Sequence, residues 1–297
     1  MLSIIFGIIQ EGIIYSIMAL GIYISYKILD FPDLSVDGTF PLGMAVSFVG
    51  ISGGLNPFLC LLLAFAAGVI AGVITGILHV KLKIKDLLSG ILTMTALYSI
   101  NYTIVGNPTG FLEMNSSTIY SVIPNSAGVF FRYRYLIISL IIAVAVKIIM
   151  DWYLKTKSGF LLRSIGDNPA LVVTLGKNPG SVKILGLALA NGLVALSGSL
   201  NLQYIKTFNV AAGTGTLVMG LAAVIIGTTL FGRAKHVKAT TGVIVGMIVY
   251  KACISLALLA GLESRYTNLI VTVLFIATLL LNRFFEKNRR AGVTDDA

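Results

Sequence analysis

The amino-acid sequence predicts an all-α polytopic membrane protein, an expectation that rests on three observations. Of 297 residues, 57% are hydrophobic and only 11% are charged, with a mean hydropathy of +0.94. So few ionic side chains cannot clothe a water-facing surface, and lipid must cover much of it. About nine apolar segments follow one another, at 4–28, 38–52, 57–79, 87–105, 135–154, 184–204, 213–231, 239–260 and 268–285. A span needs about 20 apolar residues to cross about 30 Å of hydrocarbon, so most of these suffice. The third observation is that Lys and Arg fall in the short connections between segments, which also accounts for the +10 net charge without nucleic acid. A single transmembrane domain over 1–297 is expected.

Nothing before or after the first segment resembles a basic leader or a small-residue cleavage site, so the first helix is expected to be retained. Asp30, Asp33 and Asp37 follow it in DFPDLSVDGTF, interrupted by Pro32, Gly38 and Pro41. Carboxylates and helix breakers cannot lie against lipid, so this stretch must line a cavity or face water, which makes Asp33, Asp37 and Gly38 pathway candidates. The plainer reading is a turn with Asp37 capping the next helix. Segment 38–52 is short, and if it is re-entrant the count becomes eight. In the third segment Gly68, Gly72 and Gly76 repeat every four residues beside Ala64, a face bare enough for close helix packing. Gly242 and Gly246 in the eighth read the same way. Packing within one bundle is the simpler explanation of both.

The loop at 107–134 carries turn signals at Pro108, Gly110, Pro124 and Gly128 and an aromatic end, Phe130, Phe131, Tyr133 and Tyr135, that suits a membrane interface. Asn101, Asn191, Asn201 and Gln203 are polar positions in or at the ends of spans, where helix–helix hydrogen bonding and solute contact are both open. Glu11 and Lys251 are intramembrane charges. Lys251 lies about 18 Å along the eighth span by helix rise, deep enough to require a partner, water or snorkelling. GTTLFGRA at 227–234 has phosphate-loop spacing, but Arg233 and Ala234 replace the Lys and Ser or Thr such a loop needs. With Cys60, Cys253, His79 and His236 scattered, no metal ligand set and no catalytic cluster is expected.

Placing the N-terminus outside puts sixteen Lys and Arg in cytoplasmic connections and four outside, which sets N-out and C-in as the expected orientation. GTFPLGMAV at 38–46 recurs as GTLVMGLAA at 215–223, the first copy running outward and the second inward, as an inverted repeat requires. The connection at 155–183, KTKSGFLLRSIGDNPALVVTLGKNPGSVK, is longer than topology needs. Asp167 and Asn168 can cap a short helix with Pro169 at its first position, and Gly176 can end it in a left-handed turn.

GDNPALVVTLGKNPGSVKILGLALANGLVALSGSL at 166–200 and LSVDGTFPLGMAV at 34–46 resemble the permeases of branched-chain amino-acid, ribose and nucleoside ABC importers. The wording DLSVDGTFPLG is most similar to a poorly characterised branch linked to amino acids, including aromatic ones. The amino-acid permeases usually carry an Asn-Phe-Ala-His-Gly-like stretch where this chain has Leu34 to Gly38, a departure that counts against a branched-chain solute. The resemblance implies that Gly166, Asp167, Asn168, Pro169 and Gly176 form a coupling helix and turn seated on an ABC ATPase. It further implies a second permease copy, identical or related, an extracytoplasmic substrate-binding protein, a prokaryotic cytoplasmic membrane, and ATP used by the partner rather than by this chain. The competing class is an ion-gradient-driven carrier or channel using Asp33, Asp37 or Lys251, for which the 155–183 loop would have no purpose.

Overall fold

The computed structural model describes residues 2–122, 133–231, 237–259, 269–270, 272–273, 275–277 and 279–280. Seven helical stretches are long and apolar enough to cross a membrane among the described residues. The ninth expected segment, 268–285, the C-terminal basic cluster, Arg233, His236, Phe130 and Phe131 lie wholly or largely outside them, so the count of nine is not confirmed.

Helix α1 (Leu2–Ile22) winds into a π-helical turn (Tyr23–Ile28). The chain reverses at Asp30, whose backbone is left-handed (φ 52°), and α2 (Val36–Ser52) begins. At 17 residues, α2 reaches about 25 Å and falls short of the hydrocarbon thickness. Then come α3 (Pro57–Val80), α4 (Asp86–Val105), α5 (Arg134–Tyr153), two short helices α6 (Lys157–Asp167) and α7 (Pro169–Thr174), α8 (Pro179–Ile205), α9 (Thr216–Phe231) and α10 (Ala239–Leu259). Three of these helices start the same way: Asn56, Asn168 and Asn178 accept from the backbone N–H two residues on, and Pro57, Pro169 and Pro179 occupy the first helical position.

The chain is not purely helical. Strands β1 (Thr109–Phe111) and β2 (Thr207–Asn209) form an antiparallel ladder that ties the 107–134 loop to the end of α8. Three-residue strands leave no usable periodicity in the sequence, so this element was not expected. Tyr135 packs in a cluster with Tyr120 and Tyr204, at centroid separations of 4.9 and 5.7 Å. The Tyr120 hydroxyl meets Ser139 Oγ at 2.9 Å.

Glycines set the closest helix contacts. A Cβ at Gly68 or Gly72 would collide with the carbonyl oxygen of Asn191 or Leu187, and one at Gly76 with the backbone of Ile184. The α3 stripe is therefore filled by α8 of the same chain, which is the simpler of the two readings. Gly242 and Gly246 likewise meet Gly227 and Ala223 of α9. Because the obstacle at Gly72 is backbone, no rotamer change can relieve it. We expect Gly72→Val to cost at least about 1–3 kcal/mol, read as a fall in thermal midpoint of the detergent-solubilised protein. Gly7→Ala, where a Cβ meets nothing within 4 Å inside α1, should not lower the midpoint, since Ala is favoured over Gly in a helix interior.

Candidate functional site

The two copies of the Gly-Thr repeat each open a helix. Gly38 and Thr39 lie in the first turn of α2, while Gly215 and Thr216 start α9. Thr39 pairs with Asn191 and Ser47 with Ser199, so α2 runs parallel to α8 and away from the 155–183 loop. Thr240 and Lys238, at the start of α10, bind Asp151 near the end of α5 at 2.7 and 2.9 Å. That places the start of α10 on the loop side. Gly227 and Ala223 face Gly242 and Gly246 in turn, so α9 runs towards that side. The two helices thus diverge from a common point with opposite directions.

That point is held by carboxylates. Asp33 Oδ1 accepts from the Ser35 backbone N–H at 2.9 Å, and Oδ2 accepts from Asn191 Nδ2 at 2.7 Å. Asn191 Oδ1 in turn accepts from Thr39 Oγ1 at 2.7 Å and Ser35 Oγ at 3.1 Å, while its amide also donates to the Leu187 carbonyl at 3.1 Å. All four side chains are fully buried. Asn191 is near the middle of α8, about 18 Å along it by helix rise. Asp37, expected as a possible cap for its own helix, instead caps the other: Oδ1 accepts from Leu217 N–H (2.8 Å) and Thr216 Oγ1 (3.0 Å), and Oδ2 from Gly215 N–H (3.0 Å). A carboxylate there also opposes the positive end of the α9 dipole. Neither Asp33 nor Asp37 forms an ion pair among the described residues.

Next to Asp37 a cavity of about 370 Å³ opens between α2, α4 and residues 210–214, lined by Gly38, Met94, Thr95, Tyr98, Ser99 and Asn101 among others. Thr95, Ser99 and Tyr102 follow one another at helical spacing on the exposed side of α4. They continue the stripe that carries Leu88, Ile91 and Leu92 one to two turns earlier, so one exposed face of α4 changes from apolar to polar along its length, with Thr95 Oγ1 donating back to the Ile91 carbonyl at 2.8 Å.

The structure thus brings Asp33, Asp37, Gly38 and Asn191 together and leaves Lys251 apart. Lys251 Nζ sits 3.1 Å from Glu11 Oε2 and 3.8 Å from the centroid of the Tyr15 ring, so the two intramembrane charges answer each other across α1 and α10. Gln203 joins the loop, accepting from Ile119 N–H at 2.9 Å. In the 155–183 connection, Asn168 accepts from Ala170 N–H at 3.0 Å, Pro169 begins α7, and Gly176 is left-handed at φ 69°. Leu171, Val173 and Leu175 are exposed around α7, while Val172 is buried. The preceding α6, capped by Thr156, was not expected as a separate helix. Gly166 packs directly on the Ile28 carbonyl at the end of the π-turn.

Residues 4–279 match the model of the family described as the branched-chain amino acid transport system permease component. The chain belongs to this permease family. It is 42% identical over 93% of its length to a tyrosine transport system permease protein of Clostridioides difficile, 90% of which is covered. It is 24% identical over 94% of its length to a ribose import permease protein of Escherichia coli, 85% of which is covered. A probable branched-chain amino acid transport permease protein of Methanocaldococcus jannaschii is 26% identical over 92% of this chain and 90% of its own. No solved structure matches. The permease is a multi-pass membrane protein and the permease component of an ABC transport system, not an enzyme.

Within the permease, Ser35, Thr39, Thr216 and the α4 hydroxyls belong to the site and were not singled out from sequence. The α4 stripe was visible there as polar residues three and four apart in an apolar helix. Thr39 and Thr216 were marked only as the Thr of the repeat, and Ser35 carried no signal until Asn191 was placed beside it. We expect Asn191→Asp, which sets a second carboxylate against Asp33, to destabilise the permease by more than the about 1–3 kcal/mol typical of one buried unpaired group. The exchange Asp33→Asn with Asn191→Asp restores a donor–acceptor pair between the 29–35 connection and α8 but leaves the Leu187 carbonyl without its donor, so it should recover part of the lost thermal stability, a non-additivity that a double-mutant cycle would measure.

Proposed function

We propose that this permease is the membrane subunit of a binding-protein-dependent ABC importer for an amino acid, with aromatic amino acids as the favoured class. The observation that carries the importer reading is α7: a Pro-started, Asn-capped helix with three exposed apolar side chains, held on a loop that no span requires. Such a helix fits a groove on an ABC ATPase, with Gly166, Asp167, Asn168, Pro169 and Gly176 as the coupling element. The 42% identity to a protein named for tyrosine transport supports the solute class, in line with the departure from the branched-chain wording at Leu34 to Gly38.

In this reading two permease copies face each other across the polar side of α4, two ATPase subunits dock on the α7 side, and a solute-binding protein docks opposite. The assembly sits in a prokaryotic cytoplasmic membrane with the N-terminus outside and the C-terminus inside, as the Lys and Arg distribution favours. ATP is bound and hydrolysed by the partner, and this chain carries no cofactor. Nucleotide acts on the pathway only through contacts that differ between two arrangements of the permease, because equal contact would shift nothing. An ion-gradient-driven carrier is the weaker alternative, because it gives the capped α7 on the 155–183 loop no purpose.

Removing the α7 start with Asn168→Ala and Pro169→Gly together tests the coupling role. We expect ATP-driven uptake of labelled tyrosine to fall about tenfold or more, equivalent to about 1.4 kcal/mol of docking energy. The variant should still insert in the membrane but retain less ATPase on purification. Full uptake by the doubly substituted protein would remove α7 from the coupling path.

A further inference from the structure

We propose that the cavity between α2, α4 and residues 210–214 holds the ammonium group of the transported solute, with Asp37 and Asn101 as its acceptors. This rests on the transport reading above and names the chemistry of one contact along the pathway.

Asn101 supplies the first observation. It is fully buried and lines the cavity, and its Nδ2 donates to the Gly38 carbonyl at 2.9 Å. That bond fixes which way the amide points, since the carbonyl can meet only a donor. Asn101 Oδ1 is left buried with no partner, a condition that costs about 1–3 kcal/mol and calls for a donor. Asp37 supplies the second. Its three bonds to the start of α9 put two donors on Oδ1 and one on Oδ2. A carboxylate offers about four acceptor positions, so one remains on Oδ2. What the cavity lacks is therefore a donor with positive charge. An ammonium, with three N–H donors and no acceptor, complements this set, whereas a solute carboxylate would face Asp37, which has no Lys or Arg ion pair among the described residues.

The remaining wall suits an organic side chain. Pro41, Met94 and Val210 give apolar surface, and Tyr98, 54% exposed, presents a ring at the rim. The volume of about 370 Å³ lies at the small end of the range for small-molecule sites.

Ser99→Cys, in a Cys60→Ala and Cys253→Ala background, places a reporter thiol on the cavity wall of the transporter assembled in membrane vesicles. Its alkylation by a small maleimide is followed with tyramine, which keeps the ammonium and lacks the carboxylate, and with 3-(4-hydroxyphenyl)propionate, which does the reverse. Tyramine should slow labelling about tenfold at ten times its dissociation constant, the propionate should not, and Asn101→Leu should remove the protection. If Asn101→Leu does not fold, the two probes compared on the reporter alone still decide. Equal protection by both probes overturns the proposal, as does no protection by either while the reporter protein still imports tyrosine. Protection by tyramine in a transporter that takes up no amino acid would uphold the ammonium site and remove the solute assignment.

Discussion

Two helices of this permease begin inside the bundle rather than at its surface, and the free N–H groups at those starts must find acceptors where water is scarce. Asp33 and Asp37 meet that demand, one at α2 and the other at α9. Each carboxylate is held by several hydrogen bonds rather than by a cation. Asp33 comes from the seven-residue connection 29–35 and Asp37 from the first turn of α2, so one short stretch closes the start of its own helix and of the equivalent helix 180 residues later. The rest of the central packing follows: α8 must bring Asn191 to Asp33, and α2 must lie along α8 to bring Thr39 to Asn191.

Close packing makes that arrangement possible. Gly43 and Gly198 let α2 and α8 approach until a Cβ on either would strike the carbonyl of Ala195 or Phe40. Gly68 and Gly72 bring α3 onto the other side of α8. The same α8 carbonyls that α3 covers belong to the turns around Asn191, so the hydrogen-bond node and the glycine stripe are two faces of one helix. In lipid, where apolar burial between helices gains little, such contact and polar pairing supply the cohesion.

Much of this was legible in the sequence, and the exceptions have physical reasons. The helix start at Asn168–Pro169, the left-handed Gly176 and the shortness of the second segment could be read because they follow from local backbone chemistry. The Gly-Thr repeat signalled two related helix starts, and the structure shows those starts meeting. The destination of Asp37 could not be read: a carboxylate in the first turn of a helix ordinarily serves that helix, and only the tertiary fold brings Gly215 and Leu217 within reach. The same holds for Lys251, whose neighbour Glu11 is 240 residues distant, and for β1 and β2, too short to leave a pattern. The candidate site was therefore half visible, with its carboxylates and Asn191 marked but the hydroxyls joining them hidden.

The π-turn at the end of α1 links regions that the chain otherwise keeps separate. On one side Gly166 of α6 rests against the Ile28 carbonyl, and Leu29 and Leu162 together cover Gly186 of α8. Four residues beyond Leu29 stands Asp33. The loop at 155–183 is thus not a free flap: its inner helix is seated on the base of the turn that supplies Asp33 and leads into Asp37. One contact and a few residues of chain join that loop to the origin of α2 and α9 by a route that runs alongside the membrane spans rather than through them.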